Sequence, residues 1–247
     1  MMNLLFLIII LQIISCTPQH SSSENMQTTL LKIGKAAEKA KRYPYAINVY
    51  QEALKLDPKN IEIIEHLAIN YSKIQQFDKT SSICKVGIKL SPQNSYLQTL
   101  LINSSLAQNK ANEAIYWINQ SLQQDKNNTS SLNALGMIFD GIEQHTKAQR
   151  CYKKALKLMP NDKQSLNNFG LSLALANHPQ HGIEKLIAAS TLADSKISEA
   201  NINLIKKTFT HNKKAYKKLQ HTLFKHPLQL SKISYKTIQI QWLNFCR

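Results

Sequence analysis

Pro58, Pro92 and Pro160 stand 34 and 68 residues apart, and each closes a similar phrase: Ala53-Leu54-Lys55-Leu56-Asp57-Pro58, Gly87-Ile88-Lys89-Leu90-Ser91-Pro92 and Ala155-Leu156-Lys157-Leu158-Met159-Pro160. The missing member falls at Lys126, in register without its proline. A fixed period of this length describes a stack of like units, each burying its apolar face on the next. With the proline at position 32, the units run 27–60, 61–94, 95–128, 129–162 and 163–195. Residues not used to set the register agree with it. Position 8 holds Gly34, Ala68, Gly136 and Gly170; position 20 holds Ala46, Thr80, Ala114, Ala148 and Gly182; position 27 holds Ala53, Gly87, Ser121, Ala155 and Ala189. Bulky residues fill position 7 (Ile33, Leu67, Leu101, Leu135, Phe169) and position 24 (Tyr50, Cys84, Ile118, Tyr152, Leu186). Small residues let helices approach while large ones fill the groove between them. The chain has only 6 glycines, and five lie on these positions. That scarcity argues against phosphate loops, dinucleotide sites and all-β designs, which spend glycine on tight turns.

The period and the small-residue pattern resemble the tetratricopeptide repeat, a helix–turn–helix unit. The resemblance implies an all-α fold of tandem repeats forming a right-handed solenoid, with the first helix of each unit (helix A) lining a concave face. Positions 2, 5, 9 and 12 would point into that groove. They give Tyr96, Asn103, Asn133, Met137, Asn167 and Leu171 as a peptide-binding set, with Lys35, Glu38, Glu62, Glu65 and Asp140 as the main groove charges. An Asn amide both donates and accepts, so a ladder of them can hold a peptide main chain without reading its sequence. The expected partner is a protein or peptide.

Residues 196–224 read as a worn sixth unit or capping helices, with Ala215 at position 20 and Asn203 where the small residue should be. The tail 225–247 leaves the register, and a closing helix is the expectation there. At the other end, Leu4 to Leu11 are uninterrupted apolar residues, too short a run to span a bilayer but suited to a signal peptide. Ile13-Ile14-Ser15-Cys16 resembles the lipobox of bacterial lipoproteins, which implies cleavage after residue 15 and acylation of Cys16, although Met1-Met2-Asn3 carries no Lys or Arg. An uncleaved N-terminal anchor is the alternative. Residues 16–26 read as a flexible polar tether. Thr17 rather than Asp after the cysteine favours the outer membrane, facing the periplasm.

Units four and five carry a more specific run, from Leu132-Asn133-Ala134-Leu135-Gly136 through Asp140, His145 and Tyr152 to Asn167-Asn168-Phe169-Gly170-Leu171-Ser172-Leu173-Ala174-Leu175-Ala176. It is similar to the TadD lipoproteins of Flp (Tad) pilus assembly, which implies a pilotin-like adaptor for a secretin or another pilus subunit. A type IV pilus pilotin, or another envelope-assembly lipoprotein, is the neighbouring alternative.

No nucleophile motif, phosphate loop or zinc signature is present, so the expectation is a non-enzyme without cofactor or metal. Cys84 and Cys151 occupy equivalent helix-B positions two units apart and read as buried packing residues; Cys246 is expected either free or paired between molecules. His178 and His181 flank a turn and read as solvent-exposed. The formal charge of +16 is concentrated at one end: no acidic residue follows Glu199, and ten Lys and Arg do. Lys206, Lys207, Lys213, Lys214, Lys217 and Lys218 are paired at near-helical spacing, forming a basic surface suited to anionic lipid headgroups or an acidic partner. Nucleic acid or lipopolysaccharide binding is the alternative reading of that charge.

Overall fold

The computed structural model describes residues 19–192, 196–209, 216–224 and 232–246. Among these the chain forms thirteen α-helices and no strand. They are α1 (Gln19–Lys39), α2 (Tyr43–Leu56), α3 (Ile61–Lys73), α4 (Phe77–Leu90), α5 (Ser95–Ala107), α6 (Ala111–Gln124), α7 (Thr129–Gly141), α8 (His145–Leu158), α9 (Lys163–Leu175), α10 (Pro179–Ser190), α11 (Lys196–Phe209), α12 (Tyr216–Leu223) and α13 (Lys232–Gln241). A π-helical turn, Trp242–Cys246, follows. The first ten helices are the A and B helices of the five units. Cys16 lies outside the described residues. The tether expected over 16–26 is corrected in part: helix A of the first unit begins at Gln19, since no Gly or Pro interrupts the chain between Pro18 and Gly34. Among the described residues, no helix is long and apolar enough to cross a membrane.

Two recurrent backbone devices set the period. The A helices of units one to five each end on a left-handed residue at position 15: Lys41, Gln75, Asn109, Glu143 and Asn177, with φ between 56° and 65°. Each lets two backbone N–H groups turn back onto the helix end. In unit four Glu143 N–H donates to Asp140 O at 3.0 Å and Gln144 N–H to Phe139 O at 2.8 Å. The A helices of units two to five start on a side-chain cap at position 34 of the preceding unit. Asn60, Asn94, Asn128 and Asp162 accept from the N–H three residues on, at 2.9–3.2 Å.

The chain divides into two compact bodies after Leu100, within α5. In the first, Ala46, Tyr50, Ala53, Ile63 and Leu67 form the buried core. In the second, one cluster centres on Ile118, Leu132, Leu135, Phe139, Ala148 and Tyr152, and another on Ala174, Leu175, Leu186, Ile205 and Leu219. Position 8 is small for a concrete reason. A Cβ on Gly34 would fall 2.3 Å from the Tyr50 ring, and one on Gly136 would fall 2.5 Å from the Tyr152 ring. Glycine at position 8 and tyrosine at position 24 are therefore one packing decision, made in units one and four.

The tail folds back. Cys246 is joined by a disulfide to Cys151 on α8, with Cα atoms 4.6 Å apart. This corrects the reading of Cys151 as a simple packing cysteine and of Cys246 as free or intermolecular. The sequence separation of 95 residues, with one partner outside the repeat register, hid the pair. Closing a loop of that length removes unfolded-state entropy worth about 5 kcal/mol in a chain-entropy model. Cys84, by contrast, is free and buried, and burial pushes its thiol up to about 12.

Gly136→Ala is expected to cost about 1–3 kcal/mol, because the Tyr152 ring must give way. Glu143→Gly is expected to gain about 1 kcal/mol by relieving a left-handed side-chain residue. Urea unfolding under non-reducing conditions measures both, and equal midpoints for the two variants would contradict this packing.

Candidate protein-interaction face

The A helices carry the residues that the repeat pattern assigns to a groove, and the structure gives them different surroundings. Tyr96 is 45% exposed, and Asn103 is exposed. On the first body Lys35 pairs with Glu62 at 2.5 Å, and Glu65 accepts from Asn94 Nδ2 at 2.6 Å, so these charges are engaged at the surface. On the second body Met137 and Leu171 are half-buried, packed against its two clusters.

The asparagines bond mainly to one another. Asn168 Nδ2 donates to Asn133 Oδ1 at 3.1 Å, Asn167 Nδ2 to Asn168 Oδ1 at 3.4 Å, and Asn201 Nδ2 to Asn167 Oδ1 at 2.9 Å. The chain of amides runs from α7 through α9 to α11 and ties three successive A helices together. Asn133 is only 2% exposed, which corrects its placement as an open groove amide. Asn168, next to a chosen residue, is the link that the positional rule passed over.

Position 12 requires a second correction. Glu38 and Asp140 are not open groove charges but the centres of polar nodes between repeats, half-buried at Glu38 and buried at Asp140. Asp140 is 3% exposed; its carboxylate is held by His145 Nδ1 at 2.8 Å, Tyr152 Oη at 2.9 Å and Ser172 Oγ at 2.8 Å. Helix A, helix B and the next helix A thus meet on one carboxylate. In unit one Glu38 takes the same position, bonded by Asn70 Nδ2 and by His66 Nδ1 at 3.0 Å, with the His66 ring stacked on Tyr50. The signal for these nodes was present in the sequence. An acid at position 12, a tyrosine at position 24 and a polar residue at position 10 of the next unit occur together in units one and four.

Burial pushes the Asp140 carboxyl above the ordinary aspartate range, against the opposing pull of its bonds from His145, Ser172 and Tyr152. Burial and the neighbouring Asp140 charge push the Tyr152 phenol up as well.

Models of the tetratricopeptide repeat match residues 28–60 and 129–162, which are the first and fourth units almost to the residue. The chain is a tetratricopeptide-repeat protein. The two matched repeats are those built on the glycine–tyrosine–acid node. Among solved structures, a thermophilic tetratricopeptide protein of Thermus thermophilus superposes with a TM-score of 0.62 at 16% identity, over 72% of this chain and 99% of that one. The MamA protein superposes with a TM-score of 0.55 at 18% identity, over 72% and 96%. Both likenesses concern the fold. The peroxisomal targeting signal receptor of Saccharomyces cerevisiae is 27% identical over 188 residues, 70% of this chain. The chain spans about 30% of the length of the curated relatives it matches.

The remaining sequence-chosen residues fall at one end of this repeat protein. Lys206 and Lys207 close α11, and Lys217 and Lys218 are exposed on α12; Lys213 and Lys214 lie outside the described residues. The rings of His178 and His181 meet edge-to-face at 6.3 Å. Among the described residues, no cluster of three or more His, Cys, Asp or Glu is arranged to hold a metal ion.

Asp140→Ala is expected to cost about 3 kcal/mol, since it strands Tyr152, Ser172 and His145 in a buried site. Asp140→Asn, which still accepts hydrogen bonds, is expected to cost less. The raised folded-state value means that folding favours the neutral carboxyl. Its contribution is complete below the unfolded value of 3.8 and is lost as pH rises through the folded one. The stability difference between wild type and Asp140→Asn should therefore shift towards the variant from about pH 4 upwards, read by denaturant unfolding at a series of pH values. A difference that is flat with pH would contradict a buried charge.

Proposed function

We propose that the chain is an envelope adaptor, tethered through an acylated Cys16 and receiving a protein or peptide segment on its A-helix face. The observation that carries this reading is the A-helix face of the second body: exposed Asn103 with half-buried Met137, Asn167 and Leu171, a mixture of apolar contact and amide hydrogen bonding without a dense charge cluster. Such a surface suits an extended or helical segment held by its main chain and a few apolar side chains. The likeness to a peroxisomal targeting signal receptor supports recognition of a peptide segment. The intrachain Cys151–Cys246 disulfide supports an oxidising compartment, as the periplasm is. An outer-membrane site and a pilotin-like part in Flp-type pilus assembly follow from the lipobox and TadD resemblances, with a type IV pilus pilotin as the neighbouring form. No residue performs covalent chemistry in this mechanism; the protein positions its partner.

A second reading has its own observation. Lys217 and Lys218 are exposed on α12, and no acidic residue follows Glu199, so the C-terminal end suits anionic headgroups. Binding to anionic vesicles that falls steeply with salt would support it.

The adaptor reading is tested by crosslinking in cells and identifying the captured proteins, comparing wild type with Cys16→Ser. The expected result is a pilus or secretion component on the wild type and loss of membrane fractionation in the variant. Recovery of no envelope-assembly component would refute the adaptor reading. A wild-type chain soluble without detergent would refute the lipid anchor.

A further inference from the structure

Helix α12 follows the sixth A helix, α11, and by repeat order should pair along it as a B helix. It makes far less contact with α11 than the A and B helices of units four and five make with each other, and packs equally against α9, the A helix of unit five. Gln220 Nε2 reaches Asp140 O at 3.1 Å, at the end of α7, the A helix of unit four. Leu219 is fully buried with Ile205 and Leu186, and Leu171 and Leu223 pack against the same cluster. Ten of the thirteen residues of α7 are buried. Positions 5 and 12 of that helix, Asn133 and Asp140, are closed off by Asn168 and Ser172 of α9, so the contact of α12 with unit four is made by Gln220 on the Asp140 carbonyl.

The segment after α12 is fastened to the opposite side of the same repeats. Ile238 and Phe245 are buried in the cluster formed by α6, α7 and α8. Gln239 bonds to Gln144 and Lys147 at the A–B turn of unit four. Trp242 lies under Lys147 and Arg150 at 5.2 and 5.5 Å, and Cys246 is bonded to Cys151. Upstream, α11 packs on α10.

We infer that α12 is an internal occupant of the A-helix face of units four and five, and that a partner's short amphipathic helix must displace it to bind there. The inference rests on reading that face as the receiving surface. The occupant states the chemistry that fits: two leucines one helical turn apart, Leu219 and Leu223, a glutamine between them reaching a carbonyl, and lysines turned to water. Two tethers, α11 before it and the disulfide-fastened α13 after it, keep its effective concentration high against a free competitor. The seating is imperfect. Gln220 Oε1 is buried without a hydrogen-bond partner among the described residues, a cost that an incoming helix need not carry.

The test uses the full-length chain and a fluorescein-labelled peptide of residues 215–226 as probe, followed by fluorescence anisotropy under non-reducing conditions. Leu219→Asp combined with Leu223→Asp should bind the probe at least tenfold more tightly than wild type. Adding Leu171→Asp should abolish that gain. Cys246→Ser leaves α12 intact and serves if the double variant loses its helical circular dichroism; it should bind the probe more tightly than wild type because one tether is gone. Equal binding by wild type and both variants, or binding by neither variant, would overturn the inference. The adaptor reading is scored separately by crosslinking the same variants in cells. Partners captured equally by wild type and the double variant would leave that reading standing and overturn this one. Probe binding as expected, with no envelope component captured, would uphold the occupant and remove the adaptor.

Discussion

A carboxylate taken out of water has to be met by donors, and Asp140 brings three helices together to meet it. Tyr152 on helix B and Ser172 on the next helix A each reach the same group, while His145 closes it from the start of helix B. Tyr152 can stand there only because Gly136 leaves room for its ring. Side-chain size and buried polarity are therefore solved together, one repeat at a time. In the first unit Gly34 leaves room for the Tyr50 ring in the same way, while Glu38 is met by Asn70 and His66 and not by the tyrosine hydroxyl. Between these nodes, units two and three use smaller or purely apolar pairs at the same positions.

Much of the fold was legible because a 34-residue period leaves its mark on several independent positions. Proline at position 32 in three units and small residues at positions 8, 20 and 27 in most of them set the register of the five units. The left-handed residues at position 15 were not legible, because Lys41, Gln75 and Glu143 occupy a conformation that sequence rules reserve for Gly and Asn. The groove was legible only as a face. Positions 5 and 12 point towards it from the helix axis, yet Asn133 and Asp140 are turned into contacts with the following repeat. A positional rule gives direction and not burial. The disulfide was illegible for a different reason: it joins a residue in register to one outside it, and only the fold brings them together.

Unit four gathers most of what is distinctive. It holds the Asp140 node, the start of the asparagine chain, the A-helix contact with α12 and the B-helix bond to Cys246. The C-terminal residues that first register as a surplus of positive charge thus act largely through their apolar and amide side chains. Leu219, Gln220, Ile238, Trp242 and Cys246 fasten the tail to both sides of the repeat, and Lys206, Lys207, Lys217, Lys218 and Lys236 are exposed. A scaffold built this way offers a rigid face in its second body, with access governed by a segment of its own chain.

Residue-resolved hydrogen exchange on the oxidised full-length chain tests this account most directly. The slowest amides of the whole protein should lie in α7 and α8, opening only with global unfolding, because the polar node, the tail and the disulfide all converge there. Slowest exchange in the helices of the first body, or protection spread evenly over the repeats, would contradict the placing of the structural centre in unit four.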